Sequence, residues 1–200
     1  MASHLREPKL DPQEPRERAL IDQCLAGNAE AFGELVKPYQ DRLYNTLYRI
    51  LGSRDDAAEV LQDGLIRAFR RLGSFHRQSA FYTWLYRVAV NVALSRRRRR
   101  RRRPVTTELG GSADFPDHPE LGDPGRNLEA QERRRMIENA LAGVPEVFRV
   151  ALVLKEIDGL KYEEIARVLR LPVGTVRSRL HRARNEMRVR LKPLIDAGVI

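Results

Sequence analysis

One cysteine in 200 residues, Cys24, excludes a disulfide within the chain. With Leu20 it lies on the apolar side of a short helical pattern, where a buried, inert thiol is expected. Histidine is scarce as well: His4, His76, His118 and His181 are scattered and lack metal-ligand partners at useful spacing. No glycine-rich phosphate loop appears. These absences argue against an enzyme, and no metal, cofactor or small-molecule substrate is expected. No apolar run approaches the roughly 18 residues needed to span a bilayer. Met1 to Arg18 is polar and proline-rich, without a signal-peptide core, so a cytoplasmic protein is expected. Negative charge is in deficit, with 27 Asp and Glu against 37 Lys and Arg, a net charge of +10. Such a balance points to a polyanion, either nucleic acid or an anionic membrane surface. Charge alone does not choose between them, and solubility is the plainer use of it.

What is present is helical periodicity. Hydrophobic residues make up 42% of the chain, enough for packed cores. Phe32, Leu35, Val36, Tyr39, Leu43, Leu47 and Ile50 recur three or four apart, one apolar face of a long helix. Asn28 is placed to cap its start, Pro38 to kink it and Gly52 to end it. Ser53 would cap the next helix, with Val60, Leu61, Leu65, Phe69 and Leu72 inward and Gly73 closing it. A third segment puts Phe81, Trp84, Leu85, Val88 and Val92 on one face. No strand alternation competes with these patterns. Residues 104–126 change character, with Pro104, Pro116, Pro119 and Pro124 among glycines and the acidic Glu108, Asp114, Asp117, Glu120 and Asp123. This stretch is too poor in apolar groups to build a core. Helical spacing resumes with Leu128, Met136, Ile137, Ala140 and Leu141, then a very apolar run from Val147 to Ile157. The expected fold class is all-α, two small helical domains joined by a flexible linker. The expected divisions are a disordered tail at 1–17, a first domain at 18–95, an arginine run and acidic linker at 96–126, and a second domain at 127–200.

The second domain reads as a helix-turn-helix. Tyr162 to Arg170 forms a short helix with Ile165, Ala166 and Leu169 inward, and Leu171 to Gly174 break the pattern. A new helix begins near Thr175, with Val176, Leu180, Ala183, Met187 and Leu191 on its apolar face. Its other faces carry Arg177, Ser178, Arg179, His181, Arg182 and Arg184. A short helix, a tight turn and a basic second helix suit the DNA major groove. There arginine makes paired hydrogen bonds to guanine, each good pair contributing about 1–3 kcal/mol of discrimination. A solvated basic face is the alternative, which the preceding helix and turn make less attractive.

Three features in and just beyond the first domain carry further chemistry. SAFYTWLYRVAVN, Ser79–Asn91, holds Phe81, Tyr82, Trp84 and Tyr86 beside Arg87 and Asn91, with Phe75 just before. Phe81 and Trp84 fit the core, whereas Tyr82 and Tyr86 are expected away from it. Exposed aromatics beside cations stack unpaired bases at about 1–3 kcal/mol per base, and Asn91 could read a base edge. A purely core role for all the rings has the same spacing. Arg96 to Arg103 is an unbroken run of arginines that resists compact structure and seeks phosphates, although a nuclear-localisation or membrane-surface signal looks alike. Asp55, Asp56, Glu59, Gln62 and Asp63 form an acidic, polar face suited to a basic protein partner. The helix dipole accounts for Asp55 and Asp56 but not for Gln62 and Asp63.

Taken together, SAFYTWLYRVAVN, DGLKYEEIA (Asp158–Ala166) and PVGTVRSRLHRAR (Pro172–Arg184) resemble the extracytoplasmic-function sigma factors of bacterial RNA polymerase, close to the sigma-E type. The resemblance runs from about Arg18 to the C-terminus, excluding the linker and the arginine run. DDAAEVLQDGLIRAF (Asp55–Phe69) is similar to that family's polymerase-binding helix. The resemblance implies a sigma-2 domain that docks on core RNA polymerase through Asp56, Glu59, Gln62 and Asp63. That domain would recognise the melted −10 promoter element through Phe75, Tyr82, Trp84, Tyr86, Arg87 and Asn91, one base being flipped from the stack. It implies a sigma-4 domain that reads the duplex −35 element through Thr175, Arg177, Ser178, His181 and Arg182. The acidic linker would lie where nascent RNA later exits, and an anti-sigma factor is an expected partner. Arg96, Arg97, Arg98 and Arg99 are candidate contacts to promoter phosphates near the −10 element.

Some positions depart from the family pattern. Gly64 falls mid-helix, which costs about 1 kcal/mol against alanine. Leu65 and His181 stand where aromatic or larger side chains are usual. A stand-alone helix-turn-helix regulator would explain the second domain but neither the acidic helix nor the aromatic block. A scaffold or inhibitor of polymerase would need no base-reading residues.

Overall fold

The structure, a computed structural model, describes residues 15–102 and 128–199. The tail expected at 1–17, apart from its last three residues, and most of the linker expected at 96–126 lie outside the described residues. What is described is helical, without a strand: α1 Pro15–Leu25, α2 Glu30–Leu51, α3 Arg54–Arg70 and α4 Phe81–Arg102 form the first domain. The second comprises α5 Leu128–Ala142, α6 Glu146–Leu152, α7 Tyr162–Leu169 and α8 Val173–Asp196.

Helix ends follow local chemistry. Asn28 Oδ1 accepts from the backbone N–H groups of Glu30 and Ala31, at 3.0 and 3.3 Å. Those are donors that the first turn leaves without an intrahelical partner. Gly52 closes α2 at φ 76°, a left-handed conformation that glycine adopts without a Cβ penalty. Ser53 Oγ caps α3 by accepting from Asp56 N–H at 3.2 Å.

Two boundaries differ from the periodicity. The helix expected to begin near Thr175 starts at Val173, because Pro172, just before it, needs no N–H and its carbonyl accepts from Thr175 and Val176. The first domain, expected to stop at residue 95, has its last helix running on to Arg102. Arginine is a good helix former, and extending an existing helix avoids the nucleation cost.

Burial also corrects the expected inward set of α3. Ala57, Val60, Gly64 and Ala68 are its buried residues, while Phe69 is exposed and sets its ring edge-on to Phe32 at 5.2 Å. Small residues face α4 because the two helices run close together: a Cβ on Gly64 would stand 3.1 Å from Ala89 Cβ and 3.2 Å from Ala89 Cα.

The apolar run of the second domain is helical only as far as Leu152. It then widens into a π-turn over Val153–Ile157, with Asp158 N–H donating to Val153 O at 3.2 Å. Such insertions are rare and re-aim the residue that follows. Here they turn Asp158 toward the first domain, and Gly159 takes the positive φ of 66° that leads into α7. One continuous cluster of buried apolar residues runs from Ile21 through Phe81 and Leu85 to Leu154, Ile165 and Leu180. The two domains are packed against each other, chiefly α7 on α4 and the π-turn on α2.

Candidate nucleic-acid interface

The helix-turn-helix is set by α7, a tight turn and α8. Arg170 takes a left-handed φ of 55° at the turn, and Leu171 N–H donates to Ala166 O at 3.0 Å. Val176, Leu180 and Ala183 are buried against the rest of the domain. That fixes the opposite face of α8 outward, where Arg177, Ser178, His181 and Arg182 are all exposed and Thr175 is half-buried. Ser178 Oγ donates to Thr175 O at 2.9 Å, and Asn185 lies 3.2 Å from His181 Nε2. The Arg182 guanidinium stacks 5.9 Å from the Phe148 ring centre. Arg184 is held by Glu156 at 2.8 Å, so it belongs to the scaffold more than to a ligand face. Arg177 has no ion-pair partner among the described residues.

The acidic face of α3 is the second surface. Gln62 and Asp63 are exposed. Asp56 and Glu59 both meet Arg96 of α4, at 3.0 and 2.6 Å. The hydrogen bond from Arg96 holds the Glu59 carboxyl below its ordinary range. Arg97 donates to Ile50 O at 2.8 Å and pairs with Glu146 of α6 at 3.3 Å. The first two candidate phosphate-contacting arginines are therefore engaged with protein groups. Arg98 and Arg99 are exposed, Arg98 bonding within its own helix to Leu94 O and Ser95.

The aromatic block differs most from expectation. Phe75, Phe81 and Trp84 form one cluster, with Phe75 at 5.6 Å from Phe81 and 5.5 Å from Trp84 between ring centres. Arg87 and Asn91 are half-buried, and the Asn91 amide donates to Arg87 O at 2.6 Å within α4. Tyr82 and Tyr86 were expected to be exposed. Instead Tyr82 is half-buried and Tyr86 keeps only 2% of its surface. Tyr86 belongs to the buried core cluster and Tyr82 packs against it, with α7 lying on α4 beside them. Tyr82 OH donates to Glu164 at 2.7 Å and Thr83 Oγ1 to the same oxygen at 3.3 Å. Tyr86 OH donates to Asp158 at 3.2 Å.

Sequence reasoning missed the group that receives Tyr86. Thr46 Oγ1 lies 2.8 and 2.9 Å from the two Asp158 carboxylate oxygens. Arg42 reaches the same residue, Nη2 donating to its carbonyl at 2.5 Å and Nε 3.6 Å from its carboxylate. Burial pushes the Asp158 carboxyl up to about 6, against the lowering pull of Thr46, Arg42, Tyr86 and Arg49. Burial likewise raises the Tyr86 phenol. Arg149, itself buried, donates to Ala142 O and Ile50 O at 2.8 and 2.9 Å. Burial, then the neighbouring Arg97, lower its guanidinium to about 10. One signal was legible: Thr46 is a polar residue inside the apolar stripe of Leu43, Leu47 and Ile50.

The fold and these surfaces define a two-domain helical DNA-binding protein with one helix-turn-helix. Residues 35–103 match the family "Sigma-70 region 2" and residues 134–187 "Sigma-70, region 4". The chain is 36% identical to the ECF RNA polymerase sigma-E factor of Haemophilus influenzae, over 90% of this chain and 97% of that one. It is 37% identical to the RNA polymerase sigma-H factor of Pseudomonas aeruginosa, over 90% and 96% of the two chains. A solved structure of CnrH, in complex with the cytosolic domain of CnrY, superposes with a TM-score of 0.63 at 26% identity, covering 91% of this chain and 98% of that one. The chain belongs to the extracytoplasmic-function family of RNA polymerase sigma factors. It is a sigma factor, a subunit that binds core RNA polymerase and directs initiation at promoters.

Proposed function

We propose that the work divides among named surfaces of the two domains. In the first domain, taken as 18–95 with the start of the arginine run continuing its last helix, Asp56, Glu59, Gln62 and Asp63 dock on core polymerase. Phe75, Tyr82, Trp84, Tyr86, Arg87 and Asn91 form the site for the melted −10 strand, with Tyr82 and Tyr86 supplying the stacking faces. In the second domain, 127–200, Thr175, Arg177, Ser178, His181 and Arg182 read the −35 duplex. Arg98 and Arg99 meet backbone phosphates beside the −10 element, joined by Arg96 and Arg97 once their protein partners release them. The observation that carries this reading is the outward basic face of α8, fixed by burial of Val176, Leu180 and Ala183.

The chain performs no reaction of its own: phosphodiester chemistry belongs to polymerase, and melting draws on binding energy. An anti-sigma factor is a fitting partner, as the family implies; CnrH is likewise solved in complex with another protein, the cytosolic domain of CnrY. The cytoplasm is the compartment. Transcription by purified bacterial core polymerase on a promoter library, with and without this protein, tests the reading. Specific initiation only with the protein supports it. Operator binding without initiation, or suppressed transcription, overturns it in favour of a regulator or an inhibitor.

A further inference from the structure

We infer that Arg188, Asn185 and His181 form a relay on α8 that fixes the tautomer of His181, making its Nδ1 a hydrogen-bond donor that selects an acceptor-bearing base. This rests on the reading of α8 as the −35 reader and names what one of its residues selects. The three residues follow at spacings of four and three, which sets them in one row on a helix. Val176, Leu180 and Ala183 are buried on the other side of α8. His181 and Arg188 are exposed and Asn185 is half-buried. Arg188 Nη1 donates to Asn185 Oδ1 at 2.8 Å. The Asn185 amide nitrogen lies 3.2 Å from His181 Nε2.

The direction of each bond follows from what the groups can do. A guanidinium only donates, so the Asn185 atom that meets Arg188 is the amide oxygen. Turning the amide over would set its NH2 against the guanidinium, donor facing donor. With the oxygen committed, the NH2 faces the imidazole and Nε2 accepts. A neutral imidazole carries one proton, which therefore sits on Nδ1. A free histidine side chain prefers the opposite tautomer, so the relay inverts the ordinary state. Among the described residues His181 makes no other hydrogen bond, and its Nδ1–H is left for a ligand. In the major groove guanine offers O6 and N7 and thymine offers O4 as acceptors, whereas cytosine offers only its amino donor. Nδ1–H therefore favours guanine or thymine and opposes cytosine. The other tautomer would present a lone pair and reverse that preference. Arg188 has five N–H donors, enough to hold Asn185 and meet a backbone phosphate together.

Nitrogen NMR of the isotope-labelled full-length chain reads the tautomer directly in mildly alkaline buffer, where imidazole is neutral. The His181 signals are those lost in His181→Ala. The proton is expected on Nδ1 in the wild-type chain and mainly on Nε2 in Asn185→Ala and Arg188→Ala. The arginine variant is the sharper of the two, because Arg188 bonds to Asn185 and not to His181. Selection of duplexes randomised over the −35 element, by holoenzyme, supplies the functional half. One base position is expected to prefer guanine or thymine over cytosine by about fivefold, the worth of a single hydrogen bond. That preference disappears in His181→Ala. It narrows to about twofold in Asn185→Ala, where a smaller fraction of the side chain presents the donor.

A proton on Nε2 in the wild-type chain overturns the relay, and that measurement needs no variant to fold beyond the one that identifies the signals. A His181→Ala holoenzyme that selects as the wild type does overturns the base contact. An Asn185→Ala chain that changes tautomer without changing selection overturns the link between the two. The −35 reading fails by a separate sign: Arg177→Ala and Arg182→Ala holoenzymes that select the wild-type −35 sequences, even while the proton is found on Nδ1.

Discussion

Asp158 is where the energetics of this molecule are most exposed to a single substitution. Its carboxyl is raised from 3.8 to about 6 by burial, while Arg42 and Arg49 of α2 and the Thr46 and Tyr86 hydroxyls pull the other way. The closed fold therefore prefers the protonated acid. Its contribution to stability is full below the unfolded value near 4 and is lost as pH rises through 6. The thermal midpoint of the wild-type chain is expected to rise, relative to that of Asp158→Asn, as pH falls from 7 to 5. A constant difference across that range would show that the carboxyl is solvated. Thr46 supplies the shortest hydroxyl contact to this group. Replacing it with the near-isosteric valine leaves a buried acceptor short of a donor and is expected to cost about 1–3 kcal/mol in urea unfolding. The arginines of α8 act by a different physics. Arg177 is exposed, so Arg177→Ala should leave the unfolding midpoint unchanged. If it pairs with a guanine, it should weaken −35 duplex binding by about 1–3 kcal/mol, measured by anisotropy.

At the scale of elements, the crossing of α3 over α4 depends on Gly64. Read from helix propensity, this glycine costs about 1 kcal/mol and alanine would be an improvement. The packing reverses the sign. A Cβ there would stand 3.2 Å from Ala89 Cα, backbone that moves only if a whole helix moves. Gly64→Ala is expected to destabilise by about 1–3 kcal/mol, a lowered melting temperature that adding Ala89→Gly restores in part. A neutral or stabilising Gly64→Ala would mean that the helices spread at no cost. The arginine end of α4 makes a second element-level case. Arg96 and Arg97 are tied to Asp56, Glu59 and Glu146, whereas Arg98 and Arg99 are exposed. Arg98→Ala/Arg99→Ala should reduce the slope of log affinity against log salt by about 0.9 for each duplex phosphate contact removed. An unchanged slope for holoenzyme on promoter DNA rejects the phosphate role.

For the whole molecule, the decisive feature is that two domains joined by an acidic linker are packed together, with Tyr82 and Tyr86, proposed for the −10 strand, covered and the basic face of α8, proposed for the −35 duplex, exposed. Much of the organisation was legible beforehand. Apolar spacing of three and four located the helices, Asn28, Gly52 and Ser53 marked their ends, and the break at Leu171–Gly174 located the turn before the basic helix. The end of α4 was not legible, because a run of like charges reads as unfavourable until the carboxylates that neutralise part of it are in place. The buried state of Tyr86 was not legible either, since local spacing shows which side of a helix a ring occupies and not what another domain lays over that side.

Local chemistry written along the chain thus determined the helices, the two-part division and the residue types that suit DNA and a basic protein partner. Those properties depend on neighbours a few positions away. Only the tertiary structure decided that Thr46 and Tyr86, forty residues apart, share a carboxylate from the far domain, and that Gly64 is a contact and not a flaw. Burial and desolvation are set by the groups that arrive from distant segments, and no local pattern encodes their arrival.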